Sequence, residues 1–166
     1  EIRPYAFSEH NWHDYEALGR SVRDDRFLYI QNDRPQFAQQ GPADSVKSDS
    51  FQDLLAASKS SELLTPIQED IFLAPRPKVE LYDMKADPHQ ISNLAGVDKY
   101  DGVEKRLSGA LGYWRKETAD SSPDEVSKDY FSNETGDKLK IKPVDFQRAP
   151  PGADKGADKV NAEGLQ

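Results

Sequence analysis

The sequence predicts an α+β domain. Three segments carry that expectation. Residues 20–32 read as a β-hairpin, Val79–Asp83 as a further short strand, and residues 98–118 as a long amphipathic helix.

From the N-terminus, residues up to about Phe7 are expected to be extended, with Pro4 at an edge strand or strand start. Residues 9–18 are polar and aromatic and read as a loop or short helix. In the hairpin, Arg20 to Arg23 forms one arm, Asp24-Asp25 the turn, and Arg26 to Asn32 the other arm. Phe27 and Tyr29 share one face of the second arm, and Leu28 and Ile30 share the other. With both faces apolar, that strand is expected to be central. Residues 33–49, rich in Pro, Gln and Ser, read as loop. Ser50 can cap a helix in which Phe51, Leu54, Leu55 and Ser58 have helical spacing. Thr65-Pro66-Ile67-Gln68 is a capping box: Thr65 caps, Pro66 suits the first turn, and Gln68 reaches back to the cap amide. Pro75 and Pro77 then deliver the chain to the strand Val79–Asp83. In the long helix, Val103, Leu107, Leu111 and Trp114 form one stripe. Gly102, Gly109 and Gly112 each lower its propensity by ~1 kcal/mol, so the helix relies on packing against the sheet. After Pro123 the periodicity fades. Residues 137–166 are charged, with a Gly-Ala-Asp-Lys echo at 152–155 and 156–159, and read as a wrapping or disordered tail.

Composition narrows the function. The chain has 166 residues, 36% of them hydrophobic, which fits one modest domain with a tail outside its core. A net charge of −8 and a pI near 4.9 argue against nucleic-acid binding, which needs a basic face. They do not exclude an anionic sugar held by a small local basic pocket. With no cysteine, disulfides, thiolate metal sites and cysteine nucleophiles are excluded. No apolar run approaches the ~20 residues that span a bilayer, and no signal peptide opens the chain. The start at Glu1-Ile2-Arg3-Pro4-Tyr5 reads as mid-protein sequence, so a fragment is expected.

The densest polar cluster is Glu9-His10-Asn11-Trp12-His13-Asp14. Imidazoles and a carboxamide can hydrogen-bond sugar hydroxyls or sulfate, and Trp12 can stack on a sugar ring. The plainer alternative is a satisfied surface loop. A metal held by His10 and His13 needs a helix or turn to bring them to one face, and no third ligand stands at a typical spacing; no metal site is assigned. Arg20, Arg23 and Arg26 could hold an anion, but fit hairpin-surface and interdomain ion pairs better. Asp83 and Asp87 sit where turn closure and capping are expected rather than acid–base work, and His89 reads as a turn residue.

Several of these pieces, in this order, resemble the C-terminal subdomain of the sulfatase family. They are Tyr5-Ala6-Phe7-Ser8 running into the His10–Asp14 cluster, Arg20-Ser21-Val22-Arg23 with Phe27-Leu28-Tyr29-Ile30-Gln31-Asn32, and Ser50-Phe51-Gln52-Asp53-Leu54-Leu55. Glu80-Leu81-Tyr82-Asp83 follows, with Asp87-Pro88-His89-Gln90 and Asn93-Leu94-Ala95, and Trp114 with Glu117-Thr118 closes the series. The branch most resembled is the heparan N-sulfatase (sulfamidase) group with its bacterial relatives. The resemblance covers residues 3–123. It implies a small antiparallel sheet of about four strands with a long C-terminal helix packed on one face. It divides the chain into a subdomain at 1–123 and an extended or partly disordered tail at 124–166. It also implies an exported parent (periplasmic, secreted or lysosomal-like) acting on sulfated saccharides. In that parent, the N-terminal domain holds calcium and a formylglycine made from a Cys/Ser-x-Pro-x-Arg motif. Neither the cysteine nor Ser-x-Pro-x-Arg occurs here, so no catalytic residue or cofactor is expected in this chain, and the chain alone is expected to be inactive. His10, Asn11, Trp12, His13 and Asp14 are then expected to line the substrate cleft. The expected partners are the catalytic domain and, through it, the saccharide, with self-association of the isolated chain; nucleic acid and membrane are not expected. The alternative is a free-standing glycan- or protein-binding module without catalysis.

Overall fold

The computed structural model describes residues 3–39, 41–60, 64–124, 126 and 129–140, with the Trp12 side chain excluded. Most of the tail expectation, residues 141–166, lies outside them. Four antiparallel strands form one sheet in the order β1-β2-β3-β4: β1 (Ala6–Trp12), β2 (Glu16–Arg23), β3 (Phe27–Asn32) and β4 (Val79–Asp83). Between β3 and β4 lie α1 (Ala43–Val46), α2 (Asp49–Ser58) and α3 (Pro66–Asp70). A 3-10 turn (Asp98–Tyr100) leads into α4 (Asp101–Glu117). The expected α+β architecture is present, with β3 inside the sheet.

Several expectations change. Residues 33–49, read as loop, contain the short helix α1, whose start is fixed by a carboxylate far back in the chain, Asp14 accepting the Ala43 N–H. Residues 9–18 are neither loop nor helix; they form the end of β1, a tight bend, and the start of β2. Their polarity misleads because β1 is an edge strand with one face in solvent. The helix expected from Ser50 begins at Asp49, because the Ser48 side chain accepts the Phe51 N–H. The Thr65–Gln68 capping box forms as expected.

Helix α4 covers one sheet face. Val22, Phe27, Tyr29 and Leu81 meet Leu107 and Leu111, both fully buried. Phe7 stacks on Trp114, with ring centroids 5.3 Å apart and planes 4° from parallel. This face therefore carries the apolar burial that stabilises the domain.

The Asn93-Leu94-Ala95 motif closes the sheet. The Leu94 N–H donates to the Leu81 carbonyl at 2.8 Å, and Asn93 Oδ1 accepts the Leu81 N–H at 2.9 Å. A strand edge that would otherwise pair with another chain is thus satisfied locally. The Asp-Pro turn is held similarly, since Asp87 Oδ2 accepts the N–H groups of Ile91 and Ser92, both at 2.8 Å.

Asp83 closes the end of β4. Arg26 donates to its Oδ2 from Nε at 3.0 Å and Nη2 at 2.6 Å, and the N–H groups of Lys85 and Ala86 donate to Oδ1 at 3.2 Å. These bonds, led by Arg26, hold the carboxyl at about 2, below its usual 3.8. A depressed folded-state pKa gives stability that is present above the unfolded value and lost as pH falls through the folded one. The urea midpoint should therefore decline between about pH 4 and pH 2, and Asp83→Asn should remove part of that decline.

Arg20 corrects the hairpin-surface expectation. It is fully buried, with Nε and Nη2 each donating to Asp120 at 2.8 Å. Arg115 reaches Asp120 at 2.7 Å and Asp33 at 2.7 Å, and Ser122 also bonds Asp33. Arg34 adds Glu16 at 2.6 Å and the Pro123 carbonyl. The chain leaving α4 is thereby tied to the sheet by ion pairs that the hairpin pattern alone did not reveal. Among the described residues, no helix is long and apolar enough to cross a membrane.

Candidate functional site

The His10–Asp14 cluster spans the β1–β2 turn. Pairing runs regularly from Ala6↔Arg23 to His10↔Gly19, then shifts before Trp12↔Glu16. Such a bulge re-aims side chains at a strand end. The His13 N–H closes the bend onto the Tyr15 carbonyl at 3.3 Å.

The described residues of the cluster differ in their surroundings. Asp14 is a structural anchor: its Oδ2 accepts the Ala43 N–H at 2.7 Å, fixing the start of α1, and lies 3.2 Å from His13 Nδ1. The His13 side chain is 69% exposed, so its ring is available to a partner. Asn11 Oδ1 is enclosed without a hydrogen-bond partner among the described residues. The Trp12 side chain lies outside them. His10 lies on the sheet face opposite α4, and its pKa is lowered, first by burial and then by nearby His13. Its imidazole is therefore neutral at pH 7, able to donate from one nitrogen and accept at the other.

A second small core supports this turn. Tyr15 packs with Ala43 and Val46, flanked by Phe51 and Phe131. Its hydroxyl donates to the Ser132 carbonyl at 3.0 Å, and burial with the nearby Asp14 and Asp129 carboxylates pushes its pKa up to about 12. Residues 129–140 thus buttress the turn. Gln52 Nε2 joins them to α1, donating to the carbonyls of Val46 at 2.7 Å and Glu134 at 2.9 Å. Gly136 is required at this contact: its φ is +69°, and a Cβ there would lie 2.5 Å from the Ala43 carbonyl oxygen. Gly136→Ala should cost about 1–3 kcal/mol in urea unfolding and expose Tyr15, read by its near-ultraviolet signal. An unchanged midpoint would contradict this packing.

Beside His10 the open sheet face forms a cavity of about 210 Å³. Sequence reasoning missed it. Leu28 and Ile30 share the second face of β3, as expected of a central strand with two apolar faces. They are half-buried and line the cavity. At one side the buried Glu80 carboxylate accepts from Tyr82 at 2.6 Å, Asn32 at 2.7 Å and Arg76 at 3.2 Å. Burial, then Glu80, raises the Tyr82 pKa.

Arg23 is exposed, Arg26 pairs with Asp83, and Asp83 and Asp87 close turns. His89 is exposed in the turn after Pro88. Among the described residues, no group of three His, Asp or Glu side chains is placed to hold a metal ion.

No family model matches the chain. Curated sequences do. It is 35% identical over 96 residues to the ulvan-active sulfatase of Formosa agariphila, a match covering 57% of this chain and 16% of that protein. It is 36% identical over 55 residues to the N-acetylglucosamine-6-O-sulfatase of Bacteroides thetaiotaomicron, covering 33% of this chain and 10% of that protein. Both of these curated matches are to sulfatases. It spans a small part of the curated relatives it matches. Among solved structures, a 2-O GAG sulfatase aligns over 92% of this chain and 22% of its own, with TM-score 0.42 and 19% identity. A sulfatase in complex with D-glucosamine-2-N,6-O-disulfate aligns over 75% and 18%, with TM-score 0.43 and 20% identity. The narrower resemblance to the sulfamidase group is not carried by the curated matches.

Proposed function

We propose that this chain is the C-terminal subdomain of an exported sulfatase that hydrolyses sulfate esters or sulfamates of saccharides. The observation behind this reading is the 96-residue match to a sulfatase of which it covers only 16%. The family's catalytic groups do not fit this chain. It has no cysteine and no Ser-x-Pro-x-Arg from which a formylglycine could be made. In this reading formylglycine and calcium are supplied by an N-terminal domain, and no chemical step is assigned here.

The His10–Asp14 turn forms part of the cleft wall. His10 and the exposed His13 offer hydrogen bonds to hydroxyls or sulfate oxygens, while Asp14 holds the turn in place. The sulfamidase-like subgroup is part of the proposal, with the sulfamate or ester choice made in the catalytic domain. Exposed Ile67 and Leu73, at 59% and 42%, favour self-association of the isolated chain.

The test has two parts. The 166-residue chain should turn over neither aryl sulfates nor sulfated saccharides. In the parent enzyme, a His10→Ala/His13→Ala pair should lower kcat/KM about tenfold, mainly through KM, as expected for lost hydrogen bonds. Turnover by a clean preparation of the chain alone would overturn the reading.

A further inference from the structure

We infer that the cavity beside His10 is a subsite for an uncharged sugar ring, next to the residue that carries the sulfate. This rests on the cleft reading above. Its carrier is one rung across the open sheet face: Ser8↔Ser21, Ser21↔Ile30 and Ile30↔Glu80 are register partners. The adjacent rung is His10↔Gly19↔Asn32. Gly19 leaves this second rung hollow, since a Cβ there would meet no atom within 4 Å. Leu28, Ile30 and Phe37 supply apolar wall. The Ser8 and Ser21 hydroxyls and the His10 ring face the same space, and none of the three is hydrogen-bonded to another described side chain.

The pairing of the charged groups selects against an anion. Arg76 is held by Asp70 at 3.2 Å and Glu80 at 3.2 Å, and Arg34 by Glu16 at 2.6 Å and the Pro123 carbonyl. The Glu80 carboxylate is itself filled by Arg76, Asn32 and Tyr82. A sulfate entering here would shed water without gaining an unpaired cation from the described lining. A pyranose ring has the needed duality, a C–H face for the leucine, isoleucine and phenylalanine and hydroxyl edges for the serines and imidazole. The 210 Å³ volume lies below the ~300–1,000 Å³ of drug-sized sites, which suits a single ring.

The test is a nitrogen-15 NMR titration of the whole chain with methyl β-glucoside and, separately, with its 6-O-sulfate. The neutral glycoside should shift the Ser21, Leu28 and Ile30 amides with millimolar affinity. Gly19→Val, which fills the hollow on a strand that tolerates valine, should keep the dispersed spectrum and abolish those shifts. Silent pocket amides at tens of millimolar glycoside, or shifts that survive in Gly19→Val, would overturn the subsite. If the sulfated compound still moves His10–Asp14 amides while the pocket stays silent, the subsite fails and the cleft reading stands. Desulfation by the chain itself would overturn the functional reading, whatever the pocket amides do.

Discussion

Asp120→Ala should destabilise the chain by about 3–5 kcal/mol, the range for stripping the partner from a buried charge. Arg20 is fully buried, and Asp120 meets it with two bonds of 2.8 Å. Without that carboxylate, the guanidinium keeps, among the described residues, the Gly19 carbonyl at 3.0 Å. Arg115 also loses a partner at 2.7 Å. Against a typical total of about 5–15 kcal/mol, the variant should be marginal. The matched control is Asp25→Ala, which removes an exposed pair with Lys85 at 3.1 Å and should cost under about 1 kcal/mol. Urea midpoints of both variants at neutral pH decide the matter; near-equal midpoints would show that the buried pair contributes no more than the surface one.

Leu107→Ala should cost about 2–5 kcal/mol. Leu107 has no exposed surface and sits between α4 and the sheet residues Val22, Tyr29 and Leu81. The loss combines missing apolar transfer with a cavity that β2 and β3 cannot collapse to fill, since both strands are fixed by pairing on either side. Ile67→Ala, at a residue 59% exposed, should stay within about 0.5 kcal/mol. A Leu107→Ala effect below about 1 kcal/mol would mean that α4 is not held by this stripe.

Much of the fold could be read directly where local signals agreed. Residues 20–32 combine apolar alternation with a turn whose Asp24 side chain accepts the N–H groups of Arg26 and Phe27, at 2.8 and 2.6 Å. The Thr65 box and the Leu107 stripe are similarly local. The β1–β2 turn was not legible. Its residues His13-Asp14-Tyr15 include no glycine or proline, and β1 acquires its strand character only through pairing with β2. Arg20 misled because burial of its charge depends on Asp120, far along the chain. Asn93 gave a family mark without revealing its physical job, which is to satisfy the free edge of β4.

The candidate site was legible as composition and not as geometry. Residues 10–14 formed one polar cluster in the sequence. In the fold His10 faces the open cavity, His13 faces solvent, and Asp14 anchors α1. No local pattern could separate these roles, because they depend on the bulge before Trp12 and on residues 129–140 packing beneath Tyr15. The Gly19 hollow was equally hidden, since a glycine in a strand acquires meaning only from its cross-strand neighbours.

The most direct measurement is to read the coding sequence upstream of Glu1. A continuous frame carrying Cys/Ser-x-Pro-x-Arg a few hundred residues earlier is expected. The corresponding peptide of the mature protein should show formylglycine by mass spectrometry. A start codon close to Glu1, with no such motif in frame, would contradict the proposal that this chain is the C-terminal part of a sulfatase.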